Sequence, residues 1–177
     1  MRKSYAWLII SAILLFTIGV GVTVALLVSS SNTVVNTFTV GSIDISLRET
    51  TGDTYVMAPG VDIPKDPAVT VIANSESCWL FVKVEKENGF DRFCDYETAD
   101  GWSSLGGYEG IFYRAVEKSG HAQVFSVLKN NCIQINENVT EEQLNALTSH
   151  PTLDFTAYAI QSDGFDNAHD AWEALDQ

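Results

Sequence analysis

The feature that most constrains the fold is the stretch from residue 59 to residue 85, because it contains two extended segments and the turn between them. Three of the chain's four prolines lie at its start, where their fixed φ angles and missing N–H groups disfavour helix: Pro59, Pro64 and Pro67. Residue type and alternation then predict one strand over residues 69–73 and a second over residues 78–84, joined by a polar turn. We expect these strands to be antiparallel neighbours at the centre of a β-sandwich.

The second of these strands divides its residues between two faces. One face is apolar throughout and is predicted to lie in the core: Cys78, Leu80, Val82 and Val84. The other face begins with aromatic residues and becomes polar along the strand: Trp79, Phe81, Lys83 and Glu85. This pattern is typical of a strand that has its core on one side.

The rest of the chain predicts more strands and two short helices. Further strands are expected at Ile111–Val116, Gln123–Leu128, Cys132–Ile135 and Leu153–Gln161, and residues 86–110 are expected to form a loop and hairpin. Thr140 and Gln143 form a capping-box pattern that predicts a helix to Leu147. A terminal helix, capped by Asp166 or Asn167, is predicted to dock Trp172 on the sandwich. The fold class is therefore mainly β, a two-sheet jelly-roll-like sandwich over residues 32–177.

Residues 1–31 predict an export element, either a signal peptide or a membrane signal-anchor. Arg2 and Lys3 precede an uncharged apolar run from Tyr5 to Val28. As a helix this run would reach about 36 Å, enough to cross the ~30 Å hydrocarbon core of a bilayer. No clear Ala-x-Ala cleavage site follows it, so the sequence leaves open whether the domain is released or stays anchored. Either way, the positive N-terminus predicts that the domain lies outside the cell.

The charge and the cysteines exclude some classes of function. The formal net charge is −13, and every acidic residue lies after residue 31. Such a surface argues against a nucleic-acid partner, because phosphate binding needs clustered Lys and Arg; it favours solubility outside the cell, with cation binding as the alternative. Three cysteines, Cys78, Cys94 and Cys132, have no zinc-site spacing. We expect Cys78 to be a packing residue, and a Cys78–Cys94 or Cys94–Cys132 disulfide is the alternative.

Several segments together resemble one protein family. The run from Pro59 to Val84 is one, and the others are Asn36–Ile45, Asp100–Trp102, Phe112–Arg114 and Leu153–Gln161. This combination is similar to the TasA/camelysin family of Gram-positive secreted proteins, which carry SipW-type signal peptides. The resemblance covers almost everything after residue 36. It implies export through a dedicated signal peptidase and a place at the cell surface or in the biofilm matrix.

The resemblance implies two different activities. Matrix-fibre subunits of the family assemble by strand addition, whereas camelysin is described as a metalloprotease. This sequence has no His-Glu-x-x-His motif, no nucleophile elbow and no glycine-rich phosphate loop, so we assign no catalytic, metal or cofactor-binding residue. The function expected from the sequence is therefore that of an exported structural protein. A secreted metalloprotease and a carbohydrate-binding surface module remain as alternatives.

A candidate assembly strand lies directly after the export segment, from Asn32 to Val40. It is uncharged, β-branched and free of proline, as a strand that adds to another subunit must be. Its predicted contact residues are Thr33, Val34, Val35, Phe38 and Val40. Cleavage would release this segment to complete the sheet of a second copy. The alternative is that the part from Phe38 onward pairs within its own sheet.

A candidate surface-contact loop lies between Gly89 and Gly110. Its candidate contact residues are Tyr96, Trp102 and Tyr108, which lie among acidic residues: Asp91, Asp95, Asp100 and Glu109. Aromatic residues beside acids on a loop over a β-scaffold are typical of sugar-binding sandwiches. The alternative is a long hairpin whose aromatic side chains cover one end of the sandwich.

Overall fold

The computed structural model describes residues 42–51 and 56–175. The predicted export helix and the candidate assembly strand lie outside the described residues. Within them the protein is mainly β with few helices, as predicted, but the strands form three antiparallel sheets rather than the predicted two. The strands are β1 (Ile45–Arg48), β2 (Asp62–Pro64), β3 (Ala68–Val71), β4 (Cys78–Glu87), β5 (Cys94–Asp95), β6 (Ser103–Ser104), β7 (Ile111–Val116), β8 (Gln123–Ser126), β9 (Cys132–Ile135) and β10 (Thr152–Gln161).

The strands form sheets in the orders β1-β3-β8, β10-β4-β7-β6 and β2-β9-β5. The longest pairing joins β4 and β10 over ten residues, from Thr152 opposite Glu87 to Gln161 opposite Cys78. One main core buries apolar residues from all three sheets, including Val69 of β3, Leu80 of β4 and Ile133 of β9. The hydrophobic faces of the separate sheets are thus covered by one another.

The predicted pairing of the two central strands is wrong. β3 pairs with β1 and β8, whereas β4 lies in another sheet between β10 and β7. The polar turn between them carries the chain from one sheet to the other, with Asn74 at a left-handed φ of 68°. Ser75 is buried there, and its Oγ accepts a hydrogen bond of 3.2 Å from the Asp44 backbone N–H. Both strands bury their apolar faces in the main core, which satisfies the sequence pattern without a hairpin.

The faces of β4 are largely as predicted. The predicted core residues are all buried: Cys78, Leu80, Val82 and Val84. The opposite face becomes polar from Lys83 onward, but Phe81 is fully buried in a second core. A helix, α3 (Ala168–Leu175), covers this side, and the Trp172 ring centroid lies 5.1 Å from that of Phe81. The predicted docking of Trp172 is therefore confirmed.

Two shorter helices lie on the periphery. The first, α1 (Phe90–Phe93), falls in the segment predicted to be loop and hairpin, and it buries Phe90 and Phe93 in the main core. The second, α2 (Glu141–Asn145), starts with the predicted capping box, in which the Thr140 hydroxyl accepts from the Gln143 N–H and the Gln143 side chain accepts from the Thr140 N–H. It ends two residues before the predicted Leu147.

Candidate functional site

A groove of about 600 Å³ opens between the edges of two sheets. One wall is formed by the end of β1 and the residues after it, and the other by the first half of β10. Its lining is mostly apolar: Leu47, Met57, Ile63, Pro67, Phe90, Cys94, Ile133, Pro151, Leu153 and Phe155. An apolar groove of this size has room for several side chains of an extended peptide.

Two strand edges border this groove. β1 is the outer strand of its sheet and β10 is the outer strand of another, and the two lie beside each other. Within the described residues each pairs on one side only, β1 with β3 and β10 with β4. The outer side of an edge strand presents a row of backbone donors and acceptors that can pair with a further strand. The groove therefore combines apolar walls with two backbone edges.

Lys65 and Glu49 form an ion pair in the groove wall, in which Lys65 Nζ lies 2.8 Å from Glu49 Oε1. Lys65 is only 8% exposed, and its ammonium lies 5.6 Å from the ring centroid of Phe155. A buried charge is tolerated only when it is paired, and here the partner carboxylate also neutralises it. The charges of Lys65 and Glu49 therefore offset each other; Arg48 and Asp154 also line the groove, and both are exposed.

Asp66 holds the loop that carries Glu49. Its carboxylate accepts the backbone N–H groups of Thr50 and Thr51, at 2.8 and 3.0 Å, and the hydroxyls of both residues. These hydrogen bonds, above all that from the Thr50 hydroxyl, hold the pKa of Asp66 far below its usual range. The clamp fixes the chain after β1 beside the groove.

The wall from β10 contains a polar atom without a partner. Thr152 Oγ1 is buried and makes no hydrogen bond within the part of the chain that the structure describes. A buried hydroxyl without a partner costs free energy that a hydrogen bond to an incoming group would recover. Thr152 lines the groove, but its Oγ1 has almost no accessible surface, so a strand in the groove would reach this atom only after the side chain rotates.

The predicted assembly residues Thr33, Val34, Val35, Phe38 and Val40 lie outside the described residues. The sequence predicts a donor segment but names no acceptor strand. The strand β10, Thr152–Gln161, is ten residues long and has only Asp154 as a charged residue, which is the sequence feature that an uncharged outer strand would show.

The structure does not bring the predicted surface-contact residues together on one exposed surface. Trp102 is 8% exposed, and its indole N–H donates to the Ser126 carbonyl at 2.8 Å. Tyr96 packs edge-on against Phe90 of the main core, with ring centroids 6.1 Å apart. Tyr108 belongs to the second core, where its ring lies 6.3 Å from that of Trp172. These positions agree with the alternative, in which the aromatic side chains cover the ends of the sandwich.

All three cysteines are free thiols. Cys78 and Cys94 are buried, and burial raises the pKa of each to about 11. Cys132 is more accessible. The prediction that Cys78 is a packing residue is confirmed, and neither of the alternative disulfides is present.

Among the described residues, one group of three potential metal ligands comes close together: His169, Asp170 and Glu173 on α3. Their ligand atoms lie within 4.8 Å of one another, and all three side chains are exposed. Asp170 also completes the cap of α3, since its backbone N–H donates to Asn167 Oδ1 at 3.0 Å. Asp170 therefore has a structural role at the start of α3. Of the two predicted N-cap residues, Asp166 and Asn167, the helix uses Asn167.

No family model, curated protein or solved structure matches this chain. No helix within the described residues has the length and apolarity needed to cross a membrane.

Proposed function

We propose that this chain is an exported structural protein of the TasA/camelysin type, a subunit that assembles by strand addition at the cell surface or in a biofilm matrix. In this proposal residues 1–31 direct export and are removed by a SipW-type signal peptidase, or else keep the protein on the membrane. Residues 32–177 form a jelly-roll-like sandwich, and its partner is a second copy of the same chain.

The observation that carries the proposal is the groove between β1 and β10. It offers apolar walls beside two outer strands, β1 and β10, each paired on one side only within the described residues. Long edge strands with little charge are sites of strand pairing, and strand addition obtains affinity from main-chain hydrogen bonds and register from alternate side chains. The groove is thus suited to an extended peptide.

The proposed occupant is the segment Asn32–Val40 of another copy. Nine extended residues span about 30 Å at ~3.3 Å per residue. The groove is lined by Thr152–Phe155 of β10, so part of the segment would lie in the groove and the rest could continue along the outer side of β10. The segment is uncharged, which suits a groove wall whose Lys65 and Glu49 already pair with each other. Phe38 and Val40 provide apolar side chains for its lining.

The proposal couples processing to assembly. While residues 1–31 remain in a membrane, the adjoining segment cannot reach a groove on a distant copy. Removal of residues 1–31 is therefore expected to permit concentration-dependent fibres, visible by electron microscopy.

A proline in the donor segment tests the mechanism. Val35→Pro removes a backbone donor from the segment and is expected to block the fibres while the monomer stays folded. Val35→Thr, which keeps the N–H and the β-branched shape, is the matched control and is expected to assemble. Fibres of equal length from the proline variant would exclude strand donation.

A further inference from the structure

Arg114, on β7, holds its guanidinium among aromatic rings and backbone. Its Cζ lies 3.9 Å from the ring centroid of Phe125 and 5.3 Å from that of Trp102. The backbone at Gly101 also approaches closely, since a Cβ there would lie 3.0 Å from Nη2. Gly101 has a φ of +87°, so both its space and its conformation favour glycine. The guanidinium is therefore confined before any ligand arrives.

Among the described residues, Arg114 is the partly buried arginine without an ion pair; Arg48 and Arg92 have none either, but both are exposed. Each lysine of the described residues pairs with a carboxylate: Lys65 with Glu49, Lys83 with Glu85, Lys86 with Asp91, Lys118 with Glu76 and Lys129 with Glu97. Arg114 makes no ion pair or hydrogen bond with any described residue, although acids outnumber bases 23 to 10 in the chain. Asp100, next to Gly101, is exposed and does not pair with it. Partly buried arginines are normally paired, so this one lacks an anion.

The accessible edge of the guanidinium is its outer end. Nε is buried without a partner, whereas Nη1 and Nη2 are not among the buried atoms. Burial lowers the pKa of Arg114, but an arginine keeps its charge in proteins. A fixed, charged fork with two outward nitrogens matches the two oxygens of a carboxylate.

We propose that Arg114 is a binding site for a single carboxylate group, taken end-on by Nη1 and Nη2. The net charge of −13 opposes the approach of polyanions, so the ligand is a small monocarboxylate or one isolated carboxylate of a larger molecule. The site is separate from the groove between β1 and β10, and it does not depend on assembly.

The test uses the full chain in detergent, titrated with sodium acetate at ionic strength kept constant with sodium chloride. The readouts are the Nε–H nuclear magnetic resonance signal of Arg114, assigned by its loss in Arg114→Lys, and tryptophan fluorescence. We expect a saturable change in the wild type and at least tenfold weaker binding in Arg114→Gln. Arg92→Gln is the matched control, because Arg92 also lies over a ring, that of Phe93, but is exposed. It is expected to bind acetate as the wild type does.

Other outcomes would overturn the proposal. An acetate response equal to that of chloride, or equal in the wild type and Arg114→Gln, would exclude the site. Tighter binding of inorganic phosphate or of polyglutamate than of acetate would contradict the carboxylate assignment. If Arg114→Gln does not fold, Arg114→Lys takes its place, because it keeps the charge but loses the fork. A saturable acetate response of the wild-type Nε–H signal, with a weaker fluorescence response in Arg114→Lys, then supports the site, and equal fluorescence responses exclude it.

Discussion

Trp102 shows how a residue that looks exposed in the sequence is held in the core. It follows Asp100 and Gly101 and precedes two serines, yet its ring is buried, its N–H is bonded to Ser126 and Arg114 stacks beside it. We expect Trp102→Ala to lower the free energy of unfolding by about 3–5 kcal/mol, as measured by urea denaturation. Trp102→Phe, which keeps most of the packing, is expected to lose less. A Trp102→Ala variant of unchanged stability would restore the surface-contact interpretation.

Asp66 makes stability depend on pH in a definite direction. Its folded pKa is below the unfolded value of about 3.9, so its contribution is present above that value and is lost as the pH falls through the folded pKa. We expect Asp66→Asn to be less stable than the wild type at neutral pH, with the difference shrinking below about pH 4. Thermal unfolding of both proteins across this range measures it. A difference that grew on acidification would contradict the clamp on Thr50 and Thr51.

The thiols are predicted to differ in reactivity. The thiolate is the reactive form, and Cys78 and Cys94 combine burial with pKa values raised to about 11. Cys132 is partly exposed. In the native protein we expect a disulfide reagent to modify Cys132 first, and Cys78 and Cys94 only after denaturant is added. Mass spectrometry of the modified peptides distinguishes this from simultaneous modification of all three.

Among the elements, α2 depends most visibly on local sequence. It has five residues, and its capping box satisfies the N–H groups of both Thr140 and Gln143. We expect Thr140→Ala to cost about 1 kcal/mol, and Thr140→Ser, which keeps the hydroxyl, to cost much less. Chemical denaturation provides the comparison. Equal effects of both substitutions would mean that the packing of Leu144 and Leu147, rather than the cap, determines the helix.

The elements also show what could be predicted from the sequence. The capping box, the faces of β4 and the docking of Trp172 depend on local patterns, and they were predictable. The partners of β3 were not, because strand pairing depends on contacts far apart in the chain, and a polar turn can join two sheets as well as two neighbouring strands. The helix α1 is too short to show helical periodicity.

The groove and Arg114 also differ in how far the sequence alone could indicate them. The composition of residues 32–40 led to the prediction of a donor strand, whereas the proposed acceptor depends on the fold, which places the outer strands β1 and β10 side by side. Arg114 had no sequence signal, because its isolation depends on which carboxylates the fold keeps away from it. Local patterns thus predict a strand, whereas its possible contacts depend on the three-dimensional arrangement of the elements.

At the scale of the whole molecule, the buried hydroxyl of Thr152 is expected to cost free energy in the single subunit. Assembly is expected to remove that cost. Thr152→Val replaces a buried hydroxyl without a described partner by a methyl group of similar shape. Such a change is close to neutral or stabilising when no partner is lost, so the monomer should be at least as stable. Fibre formation after removal of residues 1–31 should weaken, because the donor strand would lose the hydrogen bond that the Thr152 hydroxyl offers once its side chain rotates into the groove. Thermal unfolding and sedimentation together measure this, and equal assembly with Thr152→Val would show that the hydroxyl is not used.

The most direct test of strand donation is to map where Phe38 lies in the assembled protein. A photoreactive amino acid replaces Phe38 in an isotope-labelled chain lacking residues 1–31, which is mixed with unlabelled chain before irradiation. Mass spectrometry then identifies cross-links between the two isotopic forms. We expect cross-links from position 38 of one copy to β1 and β10 of the other. Cross-links confined to a single isotopic form, or to surfaces away from these strands, would contradict the account.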